Sequence, residues 1–236
     1  MLRVLLLQVG HTFSEIAAIR GDYDVWFRQG LGVSEDELDV RRVYAGAALP
    51  AHFDYGAVVV TGSGSMVTDR EPWSEATAEY LREAVARELP VLGVCYGHQL
   101  LAHAFGGLVG YNPAGRHIGT ARVELNDAAA SDALFQGFAN PLQVHVSHSQ
   151  RVIDPPAEAV LLASCERDPH HAFRIGRCAW GVQFHPEFSA ETARDDVRIR
   201  AETIAAEGLD PDALIAGVRE SPDGEQLLRR FRSLIG

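Results

Sequence analysis

"GVCYGHQ", residues 93–99, follows the apolar stretch Leu89-Pro90-Val91-Leu92 and runs straight into the helix-prone Gln99-Leu100-Leu101-Ala102. Strand, then Gly-x-Cys-x-Gly, then helix is the layout of a nucleophile elbow, a sharp turn that lifts one side chain above the carboxyl edge of a sheet. Gly93 and Gly97 let the backbone turn without Cβ clashes, and Gly97 lets the helix approach the strand closely. Cys95 then heads a helix, where free N–H groups and the positive end of the dipole stabilise negative charge on sulfur and can face a developing oxyanion. The plainer reading of Cys95 is a small buried hydrophobe.

Working outward, apolar runs alternate with amphipathic stretches, the pattern of strands and crossover helices in a parallel sheet. Val4 to Val9 reads as a strand, Ser14 to Gly30 as a helix, Asp39 to Tyr44 as a strand, and Ala57-Val58-Val59-Val60 as a central strand covered on both faces. The loop Thr61-Gly62-Ser63-Gly64-Ser65 follows, Pro72 opens a helix through Glu88, and Pro90 to Val94 leads into the elbow. After Gly107 the chain is richer in β structure, with short strands expected at Thr120–Leu125, Leu142–Val146, Val160–Ser164, His171–Ile175 and Ala179–His185. From Ser189 it turns helical, over Ala190 to Glu207 and Asp212 to Glu220, and ends on a stripe of Leu227, Leu228, Phe231, Leu234 and Ile235 expected to dock on the core. The fold class expected is α/β: an open, mainly parallel sheet with helices on both faces, flavodoxin-like. One domain is expected over residues 1–236, with 189–236 as a helical extension.

Composition narrows the chemistry. A net charge of −11 argues against a nucleic-acid partner, which selects a basic face. All 21 basic residues are arginines, so there is no lysine for a Schiff base or a P-loop. The three cysteines, Cys95, Cys165 and Cys178, are too few and too scattered for a disulfide scaffold or a zinc knuckle, which fits a reducing, cytoplasmic setting. The chain contains neither an 18-residue apolar span nor a signal-like leader, so no membrane partner is expected. His98 and His103 fall on different helix faces and His170 and His171 are adjacent in an expected turn, so no metal site is expected from spacing.

A thiol nucleophile needs a base, and the base needs an orienting group. His185 ends the run Ala179-Trp180-Gly181-Val182-Gln183-Phe184, and Pro186 removes the next N–H. With period two, Gly181, Gln183 and His185 share a face, and extended geometry carried past the proline puts Glu187 on it too. Cys95, His185 and Glu187 are therefore the candidate nucleophile, base and orienter.

Together "GVCYGHQLLAHAFGG" (93–107) and "GVQFHPEF" (181–188) resemble the nucleophile and His/Glu motifs of the class I, triad-type glutamine amidotransferases, and the chain resembles a stand-alone member. The resemblance runs over roughly residues 1–190 and implies attack of the cysteine on the side-chain amide of glutamine, a γ-glutamyl thioester, loss of ammonia and release of glutamate by water. It implies an oxyanion hole from the N–H groups of Gly62 and Tyr96, and substrate contacts from Gln99, Gly64 and the Ser147-His148 pair of the segment Val146 to Gln150. No metal or organic cofactor is implied. The loop Thr61 to Ser65 departs from the Gly-Gly-Pro usual in biosynthetic members, and Ser149-Gln150 stands where those have Gly-Asp. The partners implied are glutamine or another γ-glutamyl small molecule and a synthetase protein that takes the ammonia. Two alternatives stay open: a γ-glutamyl peptide hydrolase, for which Ser63 and Ser65 would admit a bulkier leaving group, and a non-catalytic partner-binding module with the same fold.

Overall fold

The computed structural model describes residues 3–235. In chain order the first half comprises β1 (Val4–Gln8), α1 (Ser14–Arg20), α2 (Tyr23–Leu31), β2 (Leu38–Arg42), β3 (Ala57–Val60), α3 (Pro72–Ala86), β4 (Val91–Val94) and α4 (Tyr96–Ala104). The second comprises β5 (Leu108–Tyr111), β6 (His117–Leu125), β7 (Leu142–His148), β8 (Gln150–Asp154), β9 (Val160–Cys165), β10 (Asp168–Ile175) and β11 (Ala179–Val182), then α5 (Ala190–Ile199), α6 (Ala201–Ala206), α7 (Pro211–Gly217) and α8 (Pro222–Ser233).

Nine strands form one sheet in the order β2-β1-β3-β4-β11-β10-β9-β6-β7. The five from β2 to β11 are parallel, and β10, β9, β6 and β7 extend them with antiparallel pairings. The central strands are apolar at every position because both faces are covered. Val4 and Leu6 point into a layer with Phe27 of α2 and Leu227, Leu228 and Phe231 of α8, while Leu5 and Leu7 point into a layer with Leu81 of α3 and Leu100 and Leu101 of α4. The α/β expectation and the docking of the last helix are both met: Leu227, Leu228 and Phe231 are fully buried.

Several boundaries differ from the sequence reading. The expected helix from Ser14 to Gly30 is two helices, because Gly21 takes φ 79° and ends α1, while Asp22 caps α2 by accepting from the Tyr23 N–H. Asp22 also accepts from Gln8 Nε2 (2.9 Å) and the Thr12 N–H (2.9 Å), which fixes the loop after β1. The strand read from Asp39 to Tyr44 stops at Arg42 and passes into a 3-10 turn, and the helix read from Ala190 to Glu207 breaks at Arg200. Strands β5 and β8, a separate two-stranded ladder, have no counterpart in the sequence reading.

The elbow depends on close backbone approach. A Cβ on Gly97 would lie 2.5 Å from the Val60 carbonyl oxygen and 2.8 Å from its Cβ, so α4 rests directly on β3. Gly97→Ala is therefore expected to cost about 2 kcal/mol through displacement of helix or strand, read as a lower urea midpoint at unchanged slope. Gly64→Ala, whose Cβ would meet nothing within 4 Å, should leave the midpoint unmoved.

Candidate active site

The register of the parallel strands builds the site. Val182 of β11 pairs with Val94 of β4, so both strands end at the same level, and the Cys95 N–H donates to the Val182 carbonyl at 2.9 Å. Beyond that edge Cys95 adopts φ 52°, ψ −99°, a conformation that costs a non-glycine residue about 1–3 kcal/mol. The strain is held by its surroundings: the Gly97 N–H donates to the Thr61 carbonyl (3.2 Å) and the Gln99 N–H to the Cys95 carbonyl (3.1 Å). Cys95 is 5% exposed, and its Sγ lies 3.8 Å from the Ser147 carbonyl oxygen. All three cysteines are free thiols.

The strand read from Ala179 to His185 ends three residues earlier, at Val182. Its parallel partner β4 stops at Val94, so no ladder remains to extend it. The chain leaves the sheet instead: the Gln183 N–H donates to the His171 carbonyl and the His185 N–H to the His145 carbonyl, both at 2.8 Å, and Pro186-Glu187 forms a turn closed by Phe188 N–H on the His185 carbonyl (3.3 Å). The expected side-chain pair forms by this turn rather than by strand alternation. His185 Nδ1 and Glu187 Oε1 are 2.7 Å apart, with side chains 3% and 0% exposed. The Phe188 ring stacks on the imidazole at 4.1 Å between centroids and 17° between planes, which fixes the ring orientation.

Burial opposes charge on His185, but the Glu187 carboxylate and then Cys95, through charge and a hydrogen bond, outweigh it and hold the imidazole well above its ordinary pKa. Glu187 Oε2 has no partner among the described residues, so the imidazolium is what compensates that buried carboxylate.

Cys95, Tyr96, Gln99, Gly64, Ser147 and His148 line one small cleft. A larger cavity of about 360 Å³ adjoins it on the His185 side, and the two share Ser63, Gly64, Ser65, Ser147 and Arg200. Gly62 lies against His185, where a Cβ would sit 2.9 Å from the imidazole Cε1. Neither the Gly62 nor the Tyr96 N–H has an acceptor among the described residues, and Tyr96, as the first residue of α4, has none within the helix. Gln99 Nε2 donates to the Gln150 carbonyl (2.8 Å) and to Gln183 Oε1 (3.0 Å), leaving Oε1 as its unpaired polar atom. Ser147 Oγ is committed to Asp196 Oδ2 at 2.7 Å. His148 turns its ring inward, with Nδ1 donating to the Gln150 carbonyl (2.9 Å), and burial together with nearby His117 pushes its pKa down to about 3, so it brings no charge to the cleft.

The structure adds residues the sequence reading passed over. Asp196 and Arg200 form an i,i+4 pair at 3.0 Å, and both line the larger cavity along with Tyr23. Arg200 also lies 4.6 Å over the Phe13 ring. Their helical spacing was visible in the sequence, but only the packing of α5 beside β7 turns the pair toward the site. Tyr23 remains a phenol: burial first, then the charges of Glu187 and Cys95, raises it well above 10.0.

Residues 29–201 match the family model described as glutamine amidotransferase class-I. The chain is 39% identical over 185 residues to the glutamine-hydrolyzing GMP synthase of Aeropyrum pernix, covering 78% of this chain and 32% of that one. It is 32% identical over 136 residues to a glutamine-hydrolyzing GMP synthase of Saccharolobus solfataricus whose name marks it as one of separate subunits, covering 56% and 68% of the two chains. Against the full-length GMP synthases it matches, the chain spans about a third of their length or less. The crystal structure of a glutamine amidotransferase from Thermotoga maritima superposes with a TM-score of 0.76 at 24% identity over 99% of this chain and 98% of that one, a likeness of fold.

Proposed function

The chain belongs to the class I glutamine amidotransferase family, and from that premise we infer that it hydrolyses the γ-glutamyl amide of glutamine through a thioester on Cys95. The observation that carries this reading is the backbone-strained Cys95 at the head of α4 beside a buried His185 held at 2.7 Å by Glu187. In the proposed reaction the Cys95 thiolate attacks the amide carbon, and the oxygen that gains charge is met by the free N–H groups of Gly62 and Tyr96. The imidazolium of His185 gives its proton to the departing nitrogen, ammonia leaves, and the carbonyl re-forms as the thioester. His185, now neutral, takes a proton from water, which attacks the thioester, releases glutamate and restores the pair. Asp196 and Arg200 supply one anion and one cation where an α-amino acid presents one of each. The ammonia is proposed to pass to a synthetase partner, a reading supported by the relative whose amidotransferase portion is a chain of its own. Among the described residues no helix is long and apolar enough to cross a membrane.

The cavity of about 360 Å³ beyond His185 favours a second reading, in which a bulkier γ-glutamyl compound replaces glutamine. Glutamate release from glutamine and from a panel of γ-glutamyl peptides, run beside a glutamine-analogue label of Cys95, decides between them. Preference for glutamine supports the amidotransferase, and preference for a peptide supports the hydrolase. Labelling without turnover points to a glutaminase that waits for its synthetase. With neither turnover nor label, the catalytic reading fails and the fold serves as a binding module.

A further inference from the structure

Three histidines that have no helix- or loop-type spacing in the sequence meet in the fold. His117 opens β6 and pairs directly across the ladder with His148 of β7. His171 joins them from β10, where the register with β9 shifts between Asp168 and Ala172, an irregularity of the kind that re-aims a side chain. One ring nitrogen from each lies within 4.8 Å of the others. The ring centroids are 5.5, 6.1 and 6.2 Å apart and the planes cross at 65°, 90° and 84°, so the rings converge edge-first rather than stack. A tetrahedral ion bonded to three imidazoles would hold their nitrogens about 3.3 Å apart, so the set must close by about 1 Å to bind one.

The nitrogens themselves point to a ligand. His148 Nε2, His117 Nδ1 and both nitrogens of His171 are buried without a partner among the described residues. Buried polar atoms are normally paired, and each orphan costs about 1–3 kcal/mol. Because a carbonyl only accepts, the bond from His148 Nδ1 to Gln150 O puts the proton on Nδ1 and leaves a lone pair on Nε2. A histidine that ligates a metal is commonly oriented in this way by a backbone carbonyl.

We propose that His117, His148 and His171 form a binding site for a divalent transition-metal ion of the zinc class, with a fourth position for water. The donor set is all nitrogen, which suits zinc or cobalt and not calcium or magnesium. The guanidinium of Arg167, whose charge acts on His117, opposes any cation held loosely. An ion bonded to three imidazoles overcomes that repulsion. The site touches the cleft through one atom: the Gln150 carbonyl that orients His148 also accepts from Gln99 Nε2. A bound ion would brace that wall of the cleft, a structural role independent of whether the chain hydrolyses glutamine.

The test is a titration of EDTA-treated protein with Co²⁺, read by its visible ligand-field absorption, with Zn²⁺ as displacing ion. Cys95→Ala is built into every sample so that the thiol cannot take the metal. Saturation at one Co²⁺ per chain is expected, with displacement by Zn²⁺ and a raised melting temperature. His117→Ala and His171→Ala should each weaken binding at least 100-fold. His117 is only half-buried, so its variant keeps the fold, checked by circular dichroism and by the metal-free melting temperature. No saturable binding up to millimolar Co²⁺, or binding that survives both substitutions, overturns the proposal.

Discussion

Cys95→Ala abolishes glutamate release, lowering kcat/KM by about 10⁴-fold or more, an increase of about 5.5 kcal/mol in the barrier. The reason is covalent: no other side chain in the cleft can form the acyl intermediate, and His185 without the thiol has no proton to exchange at that point. The same position should separate activity from stability. Alanine keeps a Cβ on a backbone at φ 52°, ψ −99°, whereas glycine relieves it. Setting about 1–3 kcal/mol of strain against the entropy glycine adds to the unfolded chain, Cys95→Gly should be the more stable of the two inactive variants by about 1 kcal/mol. Urea unfolding of both variants measures this. Equal midpoints would mean the elbow carries no strain, and retained turnover in either would remove Cys95 from the reaction.

Glu187→Gln is expected to lower kcat by about 10³- to 10⁴-fold while leaving the cleft intact, the scale seen when the carboxylate that orients a catalytic histidine becomes an amide. Its second signature is in pH. In the wild type His185 titrates well above 6.5 because Glu187 and Cys95 outweigh burial. A raised folded-state pKa contributes stability that is fully present below the unfolded value near 6.5 and is lost as pH rises through the folded value. With the carboxylate gone, burial dominates and the His185 pKa falls. The alkaline limb of kcat/KM and the alkaline loss of stability should therefore both move to lower pH. A pH–rate profile that is merely scaled down, with its alkaline limb unmoved, would show that Glu187 does not set the charge of the histidine. Glu187→Asp keeps the charge but shortens the reach, and should restore the limb before it restores the rate.

The sequence alone determined the elbow and the residue types of the candidate triad, because their causes are local. Gly93, Cys95 and Gly97 mark a turn that only small neighbours permit, and His185-Pro186-Glu187 puts a base and a carboxylate two residues apart whatever the exact backbone. The apolar runs at Val4–Gln8, Ala57–Val60 and Val91–Val94 were equally legible, since strands buried on both faces are apolar at every position. Boundaries were less so. The strand ending at Val182 could not be placed, because what stops it is the end of β4 on a different part of the chain. Tertiary structure alone decided three further things. It set Cys95 beside the Ser147 carbonyl, through pairings between segments some fifty residues apart. It carried Asp196 and Arg200, which read as an ordinary i,i+4 surface pair, to the wall of the cavity. It also gathered His117, His148 and His171 from three strands, where spacing along the chain had indicated no metal site. Register and a β-irregularity made that cluster, and both are properties of paired strands, which no single segment carries by itself.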